Sequence, residues 1–308
     1  MFAANLGLVL VVITWGSTPP ILYELLQTWD PYLLSMVRFV MTSVVFFIWI
    51  WIAERRMLFA GVLPWREIFW VSTTLAGFTS LLTFAIHYSN PINIAVINAI
   101  SPIVAAFVNK FLTGESPPRS VLLALPIVVI GGVFSGIDLD SFGNAEALFR
   151  FEPGDALMLL AVILWPTYSA LLQRWFGDMS QLRRTALSFS GATVILLPCC
   201  LVLIWFGIES FPSVMPDVRG FGFLLWTSLG VSIFGTYMWN VGVKQIGIVV
   251  SSMFLNLIPL VAICVSMLFG IEPHMEQVAG AFLVILGVTG AQLGARRKLK
   301  ASLSGAPR

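Results

Sequence analysis

Residues 89–115 read SNPINIAVINAISPIVAAFVNKFLTGE. The run is apolar almost throughout and long enough to cross a bilayer, whose ~30 Å hydrocarbon core needs about 20 residues of helix. Yet Asn98, Ser101 and Pro102 sit near its middle. An echo lies 157 residues later, where residues 246–272 read IGIVVSSMFLNLIPLVAICVSMLFGIE. At that offset Pro102 meets Pro259, Ala105 meets Ala262 and Glu115 meets Glu272, while Asn98 and Asn256 fall one residue out of register. One polar, proline-interrupted membrane helix used twice points to a transporter of two halves with its site between them.

Composition supports that class. Of 308 residues, 58% are hydrophobic and 10% charged, where a soluble domain carries roughly 25% charged residues. Apolar runs recur along the whole chain, without the alternation of a transmembrane barrel. The fold expected is an all-α integral membrane protein. Cys199, Cys200 and Cys264 all fall inside apolar runs and read as buried, reduced thiols; no metal spacing is present. The first span lacks a basic leader and a cleavage site, and reads as a retained helix.

Ten spans can be drawn, and charge tests the drawing. With the N-terminus in the cytoplasm, the inner side receives all of the 17 basic residues except Arg150 and Arg219 outside and Arg38 within the membrane. Such a bias is what the positive-inside rule expects, and it puts both termini in the cytoplasm. Five spans per half is odd, so the halves enter with opposite orientation. The expected organisation is residues 1–137 as a first five-helix repeat, 138–152 as an external loop, 153–295 as an inverted second repeat and 296–308 as a basic cytoplasmic tail. Further echoes keep this order: Ile13 with Ile163 and Trp15 with Trp165 at an offset of 150, Thr79 with Thr236 at 157, and Gly132 and Gly136 with Gly290 and Gly294 at 158.

The opening ITWGSTPP, the DPYLLSMVRF start of span two, and the P-x-x-x-A helix ending in Glu before a Gly-rich span resemble the drug/metabolite transporter superfamily, in particular its EamA-type ten-helix members. The likeness covers nearly the whole chain, and within that group the chain looks similar to the amino-acid exporters of the YddG kind. The resemblance implies a multi-pass protein of the bacterial inner membrane that moves amino acids or related metabolites outward, with spans one to four and six to nine around a central cavity. The chain departs from strict symmetry where Trp165-Pro166 faces Trp15-Gly16.

Polar groups at mid-membrane depth are costly unless partnered or wet. Asn98 and Ser101 share one face of span four, and Ser252 and Asn256 one face of span nine. They either line the cavity or bond neighbouring helices. Pro102 and Pro259 would kink their helices and free a carbonyl one turn back. Arg38 must pair, snorkel or meet water, with Glu24 as its expected partner. The pair is either a structural tie or an outer gate, or else Arg38 anchors a substrate carboxylate. Trp15 and Trp165 lie half-way through their spans. With Phe78, Tyr168, Tyr237 and Trp239 they make either an aromatic cavity wall, suited to apolar side chains and ammonium groups, or ordinary packing. Thr18 and Thr79 join the candidate substrate-binding set. Trp29, Tyr32, Trp49, Trp51, Trp65, Trp70, Trp175, Trp205 and Trp226 read as an interfacial belt.

No catalytic or metal motif is present, which weighs against an enzyme or an ATP-driven pump, and no cofactor is expected. The expected function is facilitative or secondary export of amino acids, aromatic or other apolar ones favoured, by alternating access. Drug export is the alternative within the superfamily; a membrane-embedded enzyme or lipid-handling protein is the alternative outside it. Expected partners are a small-molecule substrate and the lipid bilayer, with no nucleic acid, and the protein is a monomer or homodimer.

Overall fold

The computed structural model describes residues 2–54, 61–114, 119–135, 151–212, 216–246, 251 and 254–303. Ser252, Glu115, Gly136 and most of the 138–152 loop lie outside the described residues. Within them, all regular structure is helical. Six stretches are long and apolar enough to cross a membrane: Leu6–Leu25, Pro31–Glu54, Trp65–His87, Pro153–Trp175, Gln181–Trp205 and Val218–Gln245. A pair bent by 48°, Pro91–Asn98 and Ile103–Leu112, makes a seventh if taken as one broken span. Leu122–Gly131, Ile258–Leu268 and Met275–Gly290 are shorter apolar helices.

The helices are α1 (Phe2–Gly16), α2 (Thr18–Leu25), α3 (Pro31–Glu54), α4 (Trp65–His87), α5 (Pro91–Asn98), α6 (Ser101–Thr113) and α7 (Arg119–Ser135). After the interrupted region come α8 (Pro153–Trp175), α9 (Gln181–Trp205), α10 (Val218–Leu225), a π-helical stretch (Trp226–Gly235), α11 (Thr236–Ile246), α12 (Ile258–Leu268) and α13 (Met275–Leu303). The most extensive packing joins α7 to α13, α4 to α8, and α3 to α9. The surface is apolar, as lipid requires: Trp51, Ile52, Val194 and Leu201 all expose more than half of their area. Cys199 and Cys264 lie on that surface, contrary to the expectation of burial, and only Cys200 is buried.

Polar contacts gather the helix ends into two groups. At one end Asp30 Oδ2 accepts from Ser210 N at 2.6 Å, Glu209 accepts from the α3 amides of Tyr32 and Leu33 at 3.2 and 3.0 Å, and Gly154 N donates to Tyr88 O at 3.1 Å. At the other end Ser180 Oγ donates to Glu54, and Arg174 Nη1 donates to Leu112 O at 2.9 Å.

Close helix contact depends on particular glycines. A Cβ at Gly131 would lie 2.9 Å from Leu283 Cβ, one at Gly287 2.8 Å from Val128 Cγ2, and one at Gly294 2.6 Å from Ser120 Cβ. These seat α7 against α13, whereas Gly290 has open space around it. Of the echoed glycines Gly290 and Gly294, only Gly294 makes such a contact, and it shares a helix face with Gly287, seven residues away.

Candidate functional site

The site begins where three spans lose helical regularity. In the first, α1 ends at Gly16 and α2 starts at Thr18 with Pro19 and Pro20 in its first turn. Prolines carry no amide hydrogen, so Trp15 O and Gly16 O lose their helical donors. Thr18 Oγ1 and Ser17 Oγ both turn back to Thr14 O, at 3.0 and 2.9 Å. In the second, α5 stops at Asn98 and α6 restarts at Ser101. Pro102 denies Asn98 O its amide, and Ser101 Oγ takes that place by donating at 2.6 Å. The freed carbonyl is therefore met within the chain. Pro259 holds the matching place in the second half, in the first turn of α12 after a two-residue turn at Asn256 and Leu257.

The third irregular stretch is Trp226–Gly235, with hydrogen bonds one residue longer than in an α-helix; π-turns concentrate at functional sites. Its carbonyls receive donors from the first half of the chain. Arg38 Nη2 lies 3.4 Å from Thr227 O, Thr42 Oγ1 3.0 Å from Ser228 O, and Trp15 Nε1 3.3 Å from Val231 O. Gly235 permits this approach, since a Cβ there would lie 2.5 Å from Trp15 Nε1.

Between these breaks lies a cavity; its atom-free space, together with the open solvent at its mouth, is about 770 Å³. Its lining brings together Trp15, Thr18, Arg38, Phe78, Thr79, Asn98, Ser101 and Trp165 from the expected set. It adds Pro19, Phe39, Leu75, Leu82, Ile94, Phe189, Val231, Ser232, Thr236 and Leu255. Thr236 was signalled by its echo of Thr79; Ser232 and the phenylalanines carried no signal beyond apolar periodicity. Trp165 is the hub of the aromatic wall, with ring centroids 5.0 Å from Trp15, 5.0 Å from Phe78 and 5.2 Å from Tyr168.

Other expected residues point elsewhere. Tyr168 is fully buried behind Trp165, with its hydroxyl 3.1 Å from Ser188 Oγ. Trp239 packs behind Trp15 at 5.4 Å, and Tyr237 against Trp49 at 5.0 Å. Asn256 donates to Thr289 Oγ1 on α13 at 3.1 Å. The Arg38–Glu24 pair is not formed: Glu24 Oε2 is 3.9 Å from Arg219 Nη2, and Arg38 reaches Thr227 instead. The physical reason is depth, since Glu24 closes α2 at the end of its span while Arg38 lies two turns inside α3. Arg38 is 3% exposed, and its Nε and Nη1 have no hydrogen-bond partner among the described residues. A second arginine, Arg184 in the first turn of α9, is also buried and bonds Gln181. One of the belt tryptophans also differs, Trp29 being buried, while Trp226 is exposed and its Nε1 bonds Ser17 Oγ at 3.0 Å.

Comparison with known proteins agrees with this architecture. A crystal structure 21% identical in sequence superposes with a TM-score of 0.69, covering 96% of this chain and 99% of that one. An uncharacterized transporter of Bacillus subtilis, YyaM, is 27% identical over 69% of this chain and 68% of its own. An uncharacterized transporter of Archaeoglobus fulgidus is 24% identical over 92% and 95%. The EamA-like transporter family model matches residues 2–137 and 152–291. A multi-pass helical chain, broken at mid-depth around a central cavity and matched along both halves, belongs to the EamA-like transporter family.

Proposed function

We propose that the protein exports amino acids or related small metabolites, aromatic or other apolar ones favoured, by alternating access in the bacterial inner membrane. It does so as a facilitator, with ten spans arranged as two inverted five-helix repeats and both termini in the cytoplasm. The observation that carries this reading is the cavity itself. Its lining draws hydroxyls and an amide from broken helices, a guanidinium from the unbroken α3, and aromatic rings from both halves. Broken helices at a repeat interface are where secondary transporters bind their solutes.

Two features support the inverted repeat. Trp15 meets Trp165 at 5.0 Å, Phe39 stacks on Phe189 at 4.9 Å, and Ser43 Oγ lies 2.8 Å from Thr193 Oγ1. Each pair is 150 residues apart, as expected of equivalent residues beside a two-fold axis. The helix ends that the charge rule assigns to one side also meet one another: Asp30 with Ser210 and Tyr88 with Gly154 outside, Glu54 with Ser180 and Leu112 with Arg174 inside. The YddG-like subtype accords with the aromatic wall. The facilitator mode accords with a cavity to which the described residues contribute no Asp or Glu.

Uptake of labelled amino acids into proteoliposomes, with and without a pH gradient, tests the reading. Saturable flux insensitive to the gradient is expected. The absence of saturable flux for every solute of the panel overturns the transport claim, and gradient-driven accumulation overturns the facilitator claim.

A further inference from the structure

We infer that the solute accepted by this cavity carries a carboxylate gripped by Arg38, and that an ammonium group on it is dispensable. The inference rests on the transport reading above and adds the substrate's charge. Arg38 stands at the cavity wall, 3% exposed, with one long bond to Thr227 O and two guanidinium nitrogens without partners among the described residues. A buried charge is retained where something pairs with it, and no protein carboxylate here does so: Glu24 lies beside Arg219, and the cavity's described lining holds no Asp or Glu. The anion that completes Arg38 therefore comes with the solute. A guanidinium presents its donors as a planar fork that matches a carboxylate with two parallel bonds.

The rest of the lining sets the remainder of the molecule. Trp15, Phe78 and Trp165 offer apolar and π surface to a side chain or ring. An ammonium would find ring faces, hydroxyls and the Asn98 amide but no opposite charge. Lipophilic cations meet the like charge of Arg38 and are disfavoured, which separates carboxylates from cationic drugs.

Three probes that share one ring decide this: 3-phenylpropanoate, L-phenylalanine and phenethylamine. Their binding to the purified full-length protein is followed by thermal shift and by competition for proteoliposome flux. Wild type is expected to bind both carboxylates and to reject the amine. Arg38→Met is expected to weaken carboxylate binding at least about tenfold, with Arg38→Lys in between, while both variants elute as monodisperse protein. Rescue by the lysine variant separates loss of charge from loss of fold. Binding of phenethylamine as tight as that of 3-phenylpropanoate overturns the inference, as does carboxylate binding by Arg38→Met at wild-type strength or no binding of either carboxylate. Saturable flux of an amine or neutral solute without carboxylate flux overturns this inference alone and leaves the transport reading standing.

Discussion

Replacing Arg38 by methionine should make the resting protein more stable. Methionine fills similar volume and carries no charge to desolvate. The interaction lost is one hydrogen bond at 3.4 Å to Thr227 O; a good bond to a charged group contributes about 1.5–3 kcal/mol, and this long one contributes toward the lower limit. Against it stands the cost of holding a guanidinium 3% exposed with Nε and Nη1 unmatched, which is several kcal/mol per buried ion. The balance favours the variant by about 1–3 kcal/mol. At about 2–4 °C per kcal/mol for chains of 150–250 residues, the rise expected is roughly 2–12 °C. Tryptophan fluorescence during heating of detergent-purified protein, without added solute, measures it. A drop of several degrees would refute the reasoning, because it would make Arg38 a strut whose bonds outweigh its desolvation.

Trp165→Phe should destabilise by roughly 0.5–3 kcal/mol, since it leaves space among Trp15, Phe78 and Tyr168 at a buried site but orphans no partner of Nε1 among the described residues. Aromatic contacts are worth about 0.5–1.5 kcal/mol each, so affinity for an aromatic probe should fall roughly 2- to 12-fold, read by titration. Gly154→Ala should destabilise by about 1–3 kcal/mol, because its Cβ would lie 2.2 Å from the backbone oxygen of Ala85; a melting curve checks it. Burial holds the Glu209 carboxyl above its ordinary 4.5, despite the two α3 amides that favour its ionised form. A carboxyl raised on folding adds stability that is full below its unfolded value and is lost as pH rises through the folded one. Melting temperature should therefore fall across that window in wild type, and Glu209→Gln should flatten this limb.

How much of this was legible from the chain depends on the kind of signal. Depth was legible: Trp15, Asn98, Ser101 and Trp165 were picked out as polar or aromatic groups at mid-span, and all four line the cavity. Azimuth was not. Tyr168 follows Trp165 by three residues and so shares much of its helix face, yet it packs behind it against Ser188 rather than facing the cavity. Asn256 carries the same depth signal as Asn98 but turns to Thr289. Ion pairing failed for another reason. Glu24 and Arg38 are near in sequence, while Arg219 and Thr227, which they meet, come from a span that only the folded bundle brings alongside. The π-helical stretch left no mark in the sequence beyond Gly230 and Gly235, and the side chains of α1 and α3 that meet its carbonyls are brought there only by the folded bundle.

The central claim is that solute occupies the cavity between the two halves. Thr236 lies in its lining on the second-half side, and a Thr236→Cys variant in a background lacking Cys199, Cys200 and Cys264 places one thiol there. The measurement is its alkylation rate with and without saturating L-phenylalanine. The account predicts protection that titrates with ligand and is lost when Arg38→Met is added. Labelling at the same rate with and without the amino acid, in protein that transports it, contradicts the account.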